Sequence, residues 1–259
     1  MVMDQKAASR AVLLEVLQFA GAFRDKLVVV GGLVPELYFP GKNHIGSLDV
    51  DLAVSIGALD KNAYQSLASL LLKAGYSHQT GPTRFIRQVN GLKDSIKLDL
   101  ICGQYQTGEK VDVVPIGELA INTLRGLDLA FDNPVMMDIV GTMPDGTKNT
   151  VKAQVVRLDA YILVKAFALN ERKKEKDAYD IAFVLANYQP NLKDLAARVR
   201  GLLGNGLAKE GLEILKSKFS AIDTIGPVWA AQVYRENGDD FDQAQRAAFE
   251  NAQSLFSAI

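Results

Sequence analysis

Two aspartates one residue apart, Asp49 and Asp51, stand in the run LDVDLAV at positions 48–54. The alternation suits a half-buried strand, with Val50 and Leu52 on one face and both acids on the other. Carboxylates at i and i+2 of a strand project the same way, about 7 Å apart along the backbone. Their hard oxygens are what a divalent cation such as Mg2+ or Mn2+ takes as ligands. Upstream, Gly31 and Gly32 close the run KLVVV. With no Cβ, the backbone there can approach an anion closely. Positions 33–38 (LVPELY) read as two helical turns with Pro35 in the first, where free N–H groups would face a phosphate. A third acid, Asp99, interrupts the apolar strand pattern Ile96-Lys97-Leu98-Asp99-Leu100. Burying an unpaired carboxylate is expensive, so Asp99 needs either a shared metal or a cationic neighbour such as Lys97 or Arg87. Metal ligands on one side and backbone amides on the other would make a cradle for a triphosphate.

These residues depend on the elements that carry them. An apolar stripe of Val12, Val16, Phe19, Ala20 and Phe23 predicts an amphipathic helix over 7–24. Buried strands follow at 26–30 and 48–54, separated by the loop PGKNHIGS, and a helix is expected at 61–74 with Gly75 as its stop. Strands at 84–89 and 95–102 flank Asn90-Gly91, a hairpin signal, and strands at 135–140 and 151–156 flank Pro144-Asp145-Gly146. Beyond about 157 the texture becomes helical, with segments at 158–170, 177–188, 192–203, 207–219 and 242–258. The expected architecture is therefore α/β (α+β): a mixed sheet with flanking helices over 1–157, then a helical C-terminal domain over 158–259.

Bulk properties narrow the function classes. The formal net charge of the 259 residues is −1, so no global basic field recruits nucleic acid, although a local basic patch remains open. The single cysteine, Cys102, excludes an intrachain disulfide and a thiolate zinc cluster. The opening MVMDQKAASR has mixed charge and no apolar core, so no secretory signal is expected. No run approaches the roughly 18 apolar residues that span a bilayer, and a cytoplasmic protein with no membrane partner is expected.

A second cluster lies in the helical part. Lys165 stands in the apolar stretch Tyr161–Phe167, and Arg172 follows two turns later on the same face. The run ERKKEKD ends at Asp177, a candidate cap for the next helix, with Asp180 one turn in. On these residues alone, the lysine would reach toward solvent and the charged run would be an exposed connector.

The pattern VVVGGLVPELYF…GSLDVDLAV resembles the signature of the nucleotidyltransferase superfamily, with its polymerase-β-like fold. Within it the chain is similar to the AbiEii/AbiGii branch of bacterial toxin-like nucleotidyltransferases. The resemblance covers most of the first 190 residues. It implies a metal-dependent enzyme that moves a nucleoside monophosphate from an NTP to an acceptor hydroxyl. Asp49, Asp51 and Asp99 would bind Mg2+ (or Mn2+) and carry catalysis, Gly31 and Gly32 would line the phosphates, and Ser47 matches the small hydroxyl residue before the first acid. Lys165 would meet the triphosphate, with Asp177 or Asp180 supporting it. The acceptor would be RNA, including the tRNA end, or a protein side chain, and a toxin would have an antitoxin protein as partner. One departure stands out: His44-Ile45-Gly46 occupies the stretch where members often carry an arginine. A degenerate, non-catalytic member that binds nucleotide or a partner is the alternative.

Overall fold

The computed structural model describes residues 5–55, 61–78, 84–89, 91–105, 110–116 and 119–259. The chain divides into two compact units, Met1–Val156 and Arg157–Ile259. The first is a mixed α/β unit and the second is helical, the fold class that the sequence pattern leads one to expect.

In the first unit the strands in chain order are β1 (Leu27–Val30), β2 (Asp49–Val54), β3 (Ser77–His78), β4 (Arg84–Arg87), β5 (Ile96–Gly103), β6 (Val113–Ile116), β7 (Leu119–Leu124), β8 (Val135–Thr142) and β9 (Lys148–Val155). Among the described residues they form one sheet ordered β3-β4-β5-β2-β1-β9-β8, with β7 paired to β5 and β6 to β7. β2 runs antiparallel to β1 and parallel to β5. The Val28–Val29 part of β1 pairs in parallel with β9. The expected amphipathic helix is shorter than its apolar stripe: α1 covers Gln5–Ala20, and a 3-10 segment takes Gly21–Lys26. Between β1 and β2 lie a 3-10 turn (Gly31–Leu33) and the five-residue α2 (Val34–Tyr38). The helix α3 spans Lys61–Lys73.

Side-chain alternation sorts the sheet into two faces. Val50, Leu52 and Val54 of β2, Leu98, Leu100 and Cys102 of β5, and Phe85 of β4 are almost fully buried. Phe85 and Arg87 share a face of β4, and Arg87 forks onto Glu15 of α1, its Nε on Oε2 and its Nη2 on Oε1, both at 3.1 Å. The helix α1 therefore covers the apolar face, and Asp49, Asp51 and Asp99 lie on the other.

The Glu15 carboxylate is a buried fastening point. Tyr76 donates its hydroxyl to Oε2 at 2.7 Å, and burial, reinforced by Glu15, pushes the phenol far above its ordinary 10.0. Glu15→Gln keeps the shape and removes the charge that Arg87 needs. Stability is expected to fall by about 2 kcal/mol, read from urea unfolding at unchanged m-value; an unchanged midpoint would show the network to be idle.

In the second unit, α4 (Leu158–Arg172) packs against α5 (Glu175–Asn187), α6 (Leu192–Leu202) and α7 (Gly206–Lys218), while α5 also meets α8 (Ile225–Glu236) and α9 (Phe241–Ala258). Asn191, Asn205 and Asp240 cap α6, α7 and α9 through side-chain oxygens. Asp177 does not cap α5. Lys174 is the cap residue, and Asp177 lies in the first turn, where a carboxylate suits the helix dipole. No helix among the described residues is long and apolar enough to cross a membrane.

Candidate active site

The sheet register brings the acids together. Asp51 pairs with Val30 across β1–β2 and with Asp99 across β2–β5, while Asp99 pairs with Arg84 across β5–β4. Val30, Asp51, Asp99 and Arg84 thus form one row across four strands. Neighbouring strands are roughly 4.8 Å apart, so two carboxylates stand side by side and require a cation. A second row places Asp49 beside Lys97.

Arg84 answers part of that requirement. Its Nε and Nη2 donate to Asp99 Oδ1 and Oδ2 at 2.7 and 2.6 Å, a two-pronged fork. The hydrogen bond to Asp99 raises the guanidinium above its ordinary value, burial opposes this, and the charges of Asp99, Asp49 and Asp51 add to the rise. One cationic side chain therefore feels all three acids. Neither candidate counter-ion expected for Asp99 holds it: Arg87 turns to Glu15, and Lys97 Nζ lies 3.8 Å from Asp49 Oδ1. Arg84 is the residue that sequence reasoning missed. The hairpin pattern held the signal, but a two-residue turn on Asn90-Gly91 would set Arg84 opposite Lys97. Asn90 lies outside the described residues; the observed register puts Arg84 two places further along β5.

The glycines serve the acids directly. Gly31 has φ +72°, a left-handed conformation that glycine adopts without strain. A Cβ added there would lie 1.9 Å from Asp51 Oδ2, so the Asp51 carboxylate fills the space that a side chain would take. Gly32 is buried beside it in the turn leading to α2.

The loop before β2 is pinned to α1. The Lys6 ammonium donates to the His44 carbonyl, and Ser9 Oγ donates to the Ser47 carbonyl at 2.5 Å. His44 is buried and its Nδ1 accepts the Gly46 N–H at 3.1 Å, so its ring organises the loop. Gly46, at φ +83°, sits where a Cβ would collide with Lys6 Cγ at 2.6 Å. Ser47 Oγ accepts the Asp49 N–H at 3.2 Å and so fixes the start of β2. On the buried side of β5, burial and then Asp128 push the Cys102 thiol up to about 12. It is an inert core thiol.

A divalent cation fits the Asp49–Asp51 pair. Asp49 Oδ1 is buried and finds no hydrogen-bond partner among the described residues, with the Lys97 ammonium 3.8 Å away, and the Asp51 carboxylate lies against the Gly31 backbone. A three-ligand set is not assembled: among the described residues no three acidic, imidazole or thiolate groups are arranged to hold a metal. Asp99 is occupied by Arg84.

The second unit brings Lys165, Asp177 and Asp180 together. The Lys165 ammonium lies 2.8 Å from Asp177 Oδ1 and 2.6 Å from Asp180 Oδ2, with 7% of its side chain exposed. Burial works against its charge, but Asp180 and then Asp177 outweigh it and hold the lysine above its ordinary 10.5. Two outer cations complete the cluster, Arg172 on Asp177 at 2.9 Å and Lys176 on Asp180 at 3.0 Å. Far from reaching solvent, the lysine is a buried counter-charge to two acids.

No protein-family model matches the sequence, and neither does any curated protein. Two solved structures are similar over most of their length. An antigenic nucleotidyltransferase-like protein from Paracoccidioides brasiliensis is 17% identical, with 93% of each chain covered and a TM-score of 0.46. A putative nucleotidyltransferase from H. pylori is 16% identical, with 98% of this chain and 96% of that one covered and a TM-score of 0.46.

Proposed function

We propose that the chain is a metal-dependent nucleotidyltransferase that moves a nucleoside monophosphate from an NTP to an acceptor hydroxyl. The observation that carries this reading is the row of paired carboxylates, Asp51 beside Asp99 with Asp49 two residues earlier, with Asp51 packed against the Gly31 backbone. A bond forms from the acceptor oxygen to the α-phosphorus while the bond to the pyrophosphate oxygen breaks; pyrophosphate leaves, and the hydroxyl proton passes to solvent. Asp49 and Asp51 would hold Mg2+ or Mn2+, which when bound supplies charge neutralisation to the transferring phosphoryl group. Gly31 makes room for the Asp51 carboxylate, the family resemblance gives Gly31 and Gly32 to the phosphates, and Ser47 sets the first acid in place through its N–H. Asp99 orients Arg84 toward the developing negative charge.

The finer reading follows the family resemblance: a toxin-like member of the AbiEii type, acting on RNA (the tRNA end included) or on a protein side chain, and restrained by an antitoxin protein. The same resemblance gives Lys165 to the triphosphate, where a phosphate would compete with Asp177 and Asp180 for its ammonium. One observation favours the alternative of a non-catalytic nucleotide- or partner-binding member, namely the Arg84 fork closed on Asp99.

A thermal-shift titration with each NTP, with and without Mg2+, separates the two. At 100-fold excess over Kd a ligand adds about 2.7 kcal/mol to stability, which raises Tm by several degrees. The enzyme reading expects this rise for at least one NTP and only with metal. An equal rise without metal would establish a binding module instead.

A further inference from the structure

We infer that Arg84 is a built-in substitute for a second metal, so that this centre takes one divalent cation, on Asp49 and Asp51, where three carboxylates would suggest two. The inference rests on the metal-dependent reading proposed above and concerns how its charge is balanced.

The geometry supports it at four points. First, the fork engages both oxygens of Asp99, at 2.7 and 2.6 Å, so a metal held between those two oxygens would have to displace a pair of charge-assisted bonds. Second, the guanidinium is permanently charged at any working pH, so it cannot give way by losing a proton. Third, the pairing is written into the backbone. Arg84 and Asp99 are direct cross-strand partners in an antiparallel pair, and the guanidinium is supplied at the high effective concentration of an adjacent strand. A metal must come from dilute solution. Fourth, the charges of Asp49 and Asp51 also act on Arg84, so the guanidinium serves the whole acidic row and not Asp99 alone.

The Asp49 side presents the opposite situation. Its Oδ1 is buried without a hydrogen-bond partner among the described residues, and Lys97 Nζ stands 3.8 Å off, beyond hydrogen-bond distance. Among the described residues, one oxygen of Asp49 has no hydrogen-bond donor and only a loose ion pair with Lys97, whereas both oxygens of Asp99 are held by Arg84. The first acid leaves a place for a metal, and the second is already tightly paired. Asp99 then acts as a positioning residue for Arg84.

Counting bound Mn2+ by loss of the free-ion EPR signal, on the full chain without nucleotide, tests this with no reference to turnover. Wild type is expected to bind one Mn2+, and Asp51→Asn to bind none. Asp99→Asn is expected to keep the count at one, because Asp99 is not a ligand. Arg84→Met strips the cation from the paired Asp51 and Asp99 and is expected to raise the count to two, and Arg84→Met with Asp99→Asn to return it to one. A wild-type count of two that drops to one in Asp99→Asn would overturn the inference and leave the enzyme reading standing. A wild-type count of zero would overturn both.

Discussion

Asp51→Asn is expected to lower nucleotide transfer roughly 10²–10³-fold while leaving the melting temperature unchanged or slightly higher. The asparagine amide has almost the shape of the carboxylate, so it still occupies the space over Gly31 where a Cβ would lie 1.9 Å from Oδ2. What disappears is one negative charge, taken from a position directly beside Asp99 in the β2–β5 register. Removing one of two adjacent like charges relieves repulsion in the resting protein, and the loss falls on the step in which phosphate charge must be neutralised. Incorporation of labelled NTP into total RNA, run beside a thermal melt, reads both quantities. Transfer at the wild-type rate in a well-folded Asp51→Asn protein would place the chemistry elsewhere.

Lys165→Met is expected to destabilise the protein by about 3 kcal/mol, at the lower end for a broken buried ion pair. Asp177 and Asp180 have side chains 4% and 0% exposed, and both lose their shared ammonium. Arg172 and Lys176 remain on them from outside, which keeps the loss from being larger. The pH dependence has a definite sign. Lysine in the folded chain titrates above its ordinary 10.5 because Asp180 and Asp177 outweigh burial. Its stabilisation is thus fully present below about 10.5 and is lost only as pH rises through the higher folded value. The gap between wild type and Lys165→Met should be the same at pH 7 and pH 9 and close only in stronger alkali. Urea unfolding followed by circular dichroism at the two pH values measures it. A variant as stable as wild type would mean that the cluster is not held together by its charges.

Much of this arrangement is legible in residue types. The runs LVVV and DVDLAV have the composition and alternation of β1 and β2, and the acids of β2 and β5 fall on one face because the side-chain period of a strand is two. Other elements were masked by their own residues. Val113–Ile116 and Leu119–Leu124 fold as β6 and β7, although Pro115 argues against a strand. It is tolerated because, among the described residues, β6 pairs only with β7 and so lies at the sheet's edge. The helix α8 begins Ile225-Gly226-Pro227, which reads as a break, yet a proline in the first turn removes an N–H that had no helical acceptor. At the candidate site, Asp49, Asp51 and Gly31 could be singled out by spacing, whereas Arg84 could not. Its role depends on which β5 residue it faces, and that is decided by packing across the sheet. Likewise the charged run 171–177 looks solvated in one dimension; only the folding of α4 against α5 shows that Asp177 points inward to Lys165.

The partnership of β4 with β5 has a consequence for how this protein can vary. Phe85, buried against the core, alternates with Arg84 on the same strand and faces Leu98. A slip of one position would drive the arginine into oil and bring the phenyl ring out beside the acids, so an ordinary aromatic residue acts as a lock on an electrostatic feature. Lengthening a loop is thermodynamically mild by comparison, so the register of β4 on β5, and with it the aim of the arginine at its acid, rests on this packing more than on loop length.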